Sequence, residues 1–143
     1  MQIGDMRALV LILFLASPAA AQSVLDGIEG LYGSAIDPLQ SCTTNPHRLE
    51  LQQNPPHLVM RWSLPRRDSD GRFAQQEVYD LRDVGLTTLD LQREGDGPLP
   101  DTGRRPTWVL RLTAEGYCMG RSDWSAVRCI EPAVRCDSIA PSS

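Results

Sequence analysis

Four cysteines, Cys42, Cys118, Cys129 and Cys136, are the residues of this sequence with the widest range of chemistry. A cysteine can act as a nucleophile, bind a metal ion or form a disulfide bond. A nucleophilic thiol needs a base beside it, and zinc sites use close pairs such as C-x2-C, which this sequence lacks. An even number of cysteines favours disulfide bonds. The sequence therefore predicts two disulfides and neither a metal nor a cofactor.

The spacing of the last cysteines suggests how they pair. The segment GYCMGRSDWSAVRC, residues 116–129, is predicted to be a hairpin with a four-residue loop at 122–125. Cys118 then faces Cys129 at a Cα separation that a disulfide tolerates. This leaves Cys42 with Cys136, which would tie the first long loop to the C-terminal segment. A slip in strand register would instead pair Cys42 with Cys118 or Cys129, so the connectivity stays open.

Other reactive side chains form no recognisable catalytic motif. RRDSDGRFAQQE, residues 66–77, has the spacing of a calcium loop, but Arg66 stands at the first ligand position, where a carboxylate is needed. The sequence has two histidines and shows no pattern of a Ser-His-Asp triad. Glu94 and Asp96 lie in a glycine-rich loop, where we expect solvated carboxylates. We predict no catalytic residues and do not expect an enzyme.

The first residues are typical of an export signal. A single arginine precedes the apolar run ALVLILFLA at residues 8–16, and three alanines follow at 19–21. The run is shorter than the roughly 20 residues that a membrane-spanning helix needs. We therefore expect a signal peptide at 1–21, a single small domain at 22–143, and a periplasmic or secreted product without a membrane anchor. A net charge of −4 does not favour nucleic acid as a partner.

Apolar residues of the expected domain alternate with a period of two, which indicates strands. In HLVMRWSL, residues 57–64, the alternation places Leu58, Met60, Trp62 and Leu64 on one buried face. The same alternation predicts strands in RLELQ (48–52) and TWVLRLT (107–113). RFAQQEVYDL (72–81) and VGLTTLDLQR (84–93) are less regular, and their Phe, Val, Tyr, Thr and Leu residues predict strands because these types favour pleated surfaces. Turn residues separate these segments. We predict an all-β fold, a monomeric, disulfide-stapled antiparallel meander that closes as a small barrel, with a sandwich as the alternative.

The segment Gly30-Leu31-Tyr32-Gly33 resembles the Gly-x-Trp signature at the first strand of lipocalins and related small barrels, the calycins. Tyr32 occupies the tryptophan position. In that family the tryptophan closes one end of the barrel, often against an arginine from a late strand. The resemblance implies that Arg111 or Arg121 contacts Tyr32, and that the chain is a lipocalin-like carrier of a small apolar ligand.

The tip of the predicted hairpin suggests a different function. Arg121, Asp123 and Trp124 lie at or beside its loop, and Arg and Trp are common anchors of protein interfaces. The leading hypothesis is a protein-binding or inhibitor-type module that contacts an envelope or extracellular protein. The alternative for the tip itself is that Asp123 pairs with Arg121 and Trp124 folds back on the core. A carrier would instead need an internal cavity lined by Trp62 and Trp108.

Overall fold

The computed structural model describes residues 24–68, 71–124 and 131–138. Its strands are β1 (Gly30–Ser34), β2 (His47–Gln52), β3 (His57–Arg67), β4 (Phe73–Val84), β5 (Thr88–Arg93), β6 (Trp108–Leu112), β7 (Gly116–Arg121) and β8 (Glu131–Arg135). Each strand pairs antiparallel with the next, and β8 pairs with β1, which closes the barrel. The predicted all-β meander and its closure as a barrel are confirmed. The expected signal peptide at 1–21 lies outside the described residues.

Alternation along β3 builds much of the core. Leu58, Met60 and Trp62 are buried, as predicted, because alternate side chains of a strand point into the barrel. The prediction for Leu64 is wrong, since its side chain is 58% exposed. The pairing of β3 with β4 shifts register between Arg61 and Arg66, so the simple alternation does not continue past Trp62.

The two ends of the barrel differ in the length of their connections. At one end, which we call the short-turn end, residues 53–56, 85–87 and 113–115 connect successive strands. The opposite end, the long-loop end, carries the described connections 35–46 and 94–107. Long connections leave room for a cavity, and short ones bring the strands together. The long-loop end is therefore where a site can form.

Apolar side chains from the segment before β1 fill the short-turn end. Val24, in a 3-10 helix at Val24–Asp26, and Ile28 have no exposed surface. Tyr32 packs with them, and its hydroxyl donates a hydrogen bond to the carbonyl oxygen of Ile28 at 2.8 Å. The arginine over the Tyr32 ring is Arg135, 5.0 Å from the ring centre, not Arg111 or Arg121 as expected. Barrel closure makes Tyr32 and Arg135 direct neighbours across β1 and β8.

One predicted disulfide is present, and it links Cys42 to Cys136. It ties the connection between β1 and β2 to the 3-10 helix Cys136–Ser138 that follows β8. The two cysteines are 94 positions apart in sequence, so the chain-entropy model gives about 4 to 5 kcal/mol of stabilisation. The bond therefore fastens the long first connection to the last strand of the barrel.

The hairpin register predicted for the last cysteines is wrong. Cys118 lies opposite Pro132, not Cys129, because β8 begins at Glu131 and the connection from β7 is longer than four residues. This register places the small Ala133 opposite Tyr117 inside the barrel. Cys129 lies outside the described residues, and its bond with Cys118 stays a prediction.

Candidate functional site

A cavity of about 390 Å³ lies within the long-loop end of the barrel. The three tryptophans of the sequence, Trp62, Trp108 and Trp124, all line it. Met60 and Met119 add flexible apolar surface. A cavity of this size falls in the range of small-molecule sites, which are mostly apolar and aromatic with a few fixed polar groups.

Charged side chains of β3, β4 and β5 form one wall of the cavity. The Glu77 carboxylate lies 3.3 Å from Nη2 of Arg66 and 4.0 Å from Nη1 of Arg93. The Tyr79 hydroxyl also donates a hydrogen bond to Glu77. Burial, together with the charge and hydrogen bond of Glu77, raises the pKa of Tyr79 well above its usual value. Tyr79 is therefore a neutral donor over the physiological pH range.

Asp96, in the loop between β5 and β6, is bonded to two residues that line the cavity, Arg93 and Trp108. One carboxylate oxygen lies 2.7 Å from Nη2 of Arg93, and the other accepts a hydrogen bond from the indole nitrogen of Trp108 at 2.7 Å. Burial alone would lower the pKa of Arg93, but the hydrogen bond and charge of Asp96 outweigh it and raise that pKa. The expectation that Asp96 is a solvated carboxylate is wrong, because its side chain is only 10% exposed and holds Trp108 in place.

Arginine side chains stack on the cavity's indole rings. The guanidinium carbon of Arg66 lies 3.9 Å from the ring centre of Trp62, and that of Arg93 lies 4.8 Å from Trp108. Arg121 lies 5.4 Å from the same Trp108 ring. Such contacts favour the charged arginine and fix the orientation of both partners. The tryptophans are thereby held in position before any ligand enters.

Buried aromatic rings form the inner surface of the cavity, which we call the aromatic floor and define as His47, Trp62 and Tyr117. The ring centre of His47 lies 5.5 Å from Trp62 and 5.9 Å from Tyr117. Nε2 of His47 forms a hydrogen bond with the Tyr117 hydroxyl, whereas Nδ1 is buried with no partner among the residues that the structure describes. Burial, aided by the charge of Arg66, lowers the pKa of His47 to about 4. His47 is therefore neutral at pH 7.

Residues predicted at the hairpin tip lie at the edge of the cavity. Arg121 donates two hydrogen bonds to the carboxylate of Asp123, at 2.9 and 2.8 Å, and this bonding lowers the pKa of Asp123. Trp124 packs edge-on against Trp108, with ring centres 5.8 Å apart. Their contacts match the alternative in which Asp123 pairs with Arg121 and Trp124 folds back. Their role in binding a protein stays a prediction.

Sequence reasoning missed the charged wall, and of the aromatic floor it found only Trp62. Glu77 and Tyr79 occupy alternate positions of a predicted strand, so their shared face could have been found from the period of two. No local signal marks Arg66, because it follows the register shift in β3. His47 is a single histidine at the start of a strand, and only the barrel closure brings it to Tyr117.

The described residues contain neither a metal-binding cluster nor a membrane-spanning helix. Within residues 24–68, 71–124 and 131–138, no group of three or more His, Cys, Asp or Glu side chains is arranged to hold a metal ion. Over the same ranges, no helix has the length and apolar character needed to cross a membrane.

Comparison of the chain with protein-family models, with curated proteins and with solved structures found no match.

Proposed function

We propose that the chain binds a small organic molecule inside its barrel, with the aromatic or apolar part of that molecule against the indole rings. The observation that carries this proposal is the cavity of about 390 Å³ lined by Trp62, Trp108 and Trp124. Two of these residues are the ones that a carrier was expected to place there. Indole faces bury large apolar areas and prefer offset or edge contacts with other rings.

The orientation of the tryptophans supports the proposal. Trp62 and Trp108 are each stacked by an arginine, and Trp108 is also anchored by its hydrogen bond to Asp96. Binding to side chains that are already ordered costs little conformational entropy. The ligand we propose is not purely apolar, because the wall around Glu77 offers charged and polar groups. The Cys42–Cys136 disulfide is consistent with action in an oxidising compartment.

The protein-binding hypothesis requires a Trp124 side chain that a partner protein can contact. An interface anchor has to be available to a partner, whereas the contact of Trp124 with Trp108 turns it towards the cavity. The packing therefore supports the small-ligand proposal more strongly. A variant at Trp124 tests it directly.

The neutral aromatic probe 2-naphthylacetamide, titrated by calorimetry, tests the proposal. We expect saturable binding at one site and about tenfold weaker binding for Trp124→Ala, because one aromatic wall is lost. Phe73→Ala is the matched control, since Phe73 is 68% exposed and does not line the cavity. Absence of saturable binding, or equal affinity for the two variants, would contradict the proposal. Circular dichroism of each variant verifies that the barrel is folded.

A further inference from the structure

Two polar atoms beside the Trp62 ring lack hydrogen-bond partners within the described part of the chain. They are Nδ1 of His47 and Nε of Arg66, and both are buried. His47 is 6% exposed, and Arg66 borders the cavity with its guanidinium carbon 3.9 Å from the centre of the Trp62 ring. A buried donor without a partner costs roughly 1 to 3 kcal/mol. Such atoms are unusual in a folded protein and suggest a bound group.

We infer that the part of the cavity at His47 and Arg66 is a subsite for a carboxylate carried by an otherwise aromatic or apolar ligand. This inference rests on the proposed function and names the chemical class of its ligand. An oxygen acceptor is the group that fits, because the Nε–H of a guanidinium can only donate. The aromatic body of the ligand would extend from there towards Trp108 and Trp124.

His47 can adapt to such a ligand without gaining a proton. Its Nε2 is bonded to the Tyr117 hydroxyl, and a neutral imidazole carries its proton on one nitrogen only. When the phenol donates to Nε2, Nδ1 carries the proton and can donate to an oxygen. An anion selects this tautomer, because it then accepts from both Nδ1 of His47 and Nε of Arg66.

Arg66 is a positive charge near His47, and it helps to lower the pKa of His47. Glu77 neutralises part of this charge through Nη2 of Arg66. Glu77 therefore competes with an incoming carboxylate for the same guanidinium. Because neither unpartnered atom reaches solvent, the ligand has to displace the Arg66 side chain slightly, a change common at binding sites.

The test compares 2-naphthylacetate with the neutral 2-naphthylacetamide, two probes of nearly the same shape, by calorimetry at pH 7.5. We expect the wild type to bind the carboxylate at least tenfold more tightly, since hydrogen bonds to charged groups are the stronger ones. Arg66→Gln should abolish this preference, so that the variant binds the two probes with about equal affinity. Glu77→Gln should increase the preference, because it frees the guanidinium.

Arg61→Gln is the matched control. It removes the same charge from the same strand, but Arg61 is exposed and pairs with Glu50 outside the cavity. Arg61→Gln should keep the wild-type preference for the carboxylate probe over the amide. Equal binding of both probes by the wild type, or an unchanged preference in Arg66→Gln, would overturn the carboxylate subsite while the small-ligand proposal stands. Failure of both probes to bind would overturn the proposed function itself.

If Arg66→Gln does not fold, Glu77→Gln takes its place in the test. An unchanged preference for the carboxylate probe in Glu77→Gln would then overturn the subsite.

Discussion

His47 shows how burial changes the chemistry of a single residue in this barrel. Its imidazole is enclosed by Tyr32, Trp62 and Tyr117, and its pKa falls to about 4 because burial and the nearby Arg66 both oppose a positive charge. In the unfolded chain the same side chain titrates near 6.5. Between these two values the unfolded state binds a proton that the folded state does not. Stability therefore falls as the pH is lowered from about 6.5 to about 4, and the loss from His47 ends below that range.

His47→Gln tests this dependence. Urea unfolding at pH 7.5 and pH 4.5 should show that the wild type loses about 2 to 3 kcal/mol more than the variant, because glutamine does not titrate. The comparison removes the contributions of other groups, such as Asp123, that are present in both proteins. An equal loss of unfolding free energy in wild type and variant would contradict the assignment of a buried neutral histidine.

The residues in and around the cavity differ in how well sequence alone could find them. Trp62 and Trp108 follow from the period of two, and both were expected to line a cavity if the chain is a carrier. Arg66 and Asp96 could not be found, because one follows a register shift and the other lies in a loop whose path depends on Arg93 and Trp108. Local sequence carries no information about such long-range contacts.

Most strands lie where the sequence predicts them. β2, β3 and β6 follow the apolar period, whereas β4 and β5 were predicted from residues that favour pleated surfaces. β8 was missed, because Glu131-Pro132-Ala133-Val134-Arg135 has no alternation and includes a proline. The position of β8 is set by pairing with β1 and β7, which are distant in sequence. The arginine that packs on Tyr32 was misassigned for the same reason.

The short segment before β1 contributes a large part of the closed end. Ile28→Ala removes a side chain with no exposed surface and should destabilise the domain by about 2 to 5 kcal/mol. Leu39→Ala, in the 3-10 helix Pro38–Gln40, is the matched control, because Leu39 is exposed and its loss should change stability by less than about 0.5 kcal/mol. Chemical denaturation measures the free energy of unfolding of both variants. If the two variants unfold at the same denaturant concentration, the segment does not close the barrel as described.

The whole molecule combines a packed end with an end that contains a cavity. Val24, Ile28 and Tyr32 fill one end, and three tryptophans with their arginines surround the space at the other. The Cys42–Cys136 disulfide fastens the first long connection to the segment after the last strand. The fold class followed from periodicity, but the cavity depends on how eight strands close, which no single segment determines.

Fluorine NMR of protein labelled with 5-fluorotryptophan tests the central claim most directly, since each of the three tryptophans gives one signal. When 2-naphthylacetate is added, we predict that all three signals shift and that their shifts fit a single dissociation constant. Three signals that stay unchanged at millimolar probe would contradict the claim that this barrel binds a small molecule between its indole rings.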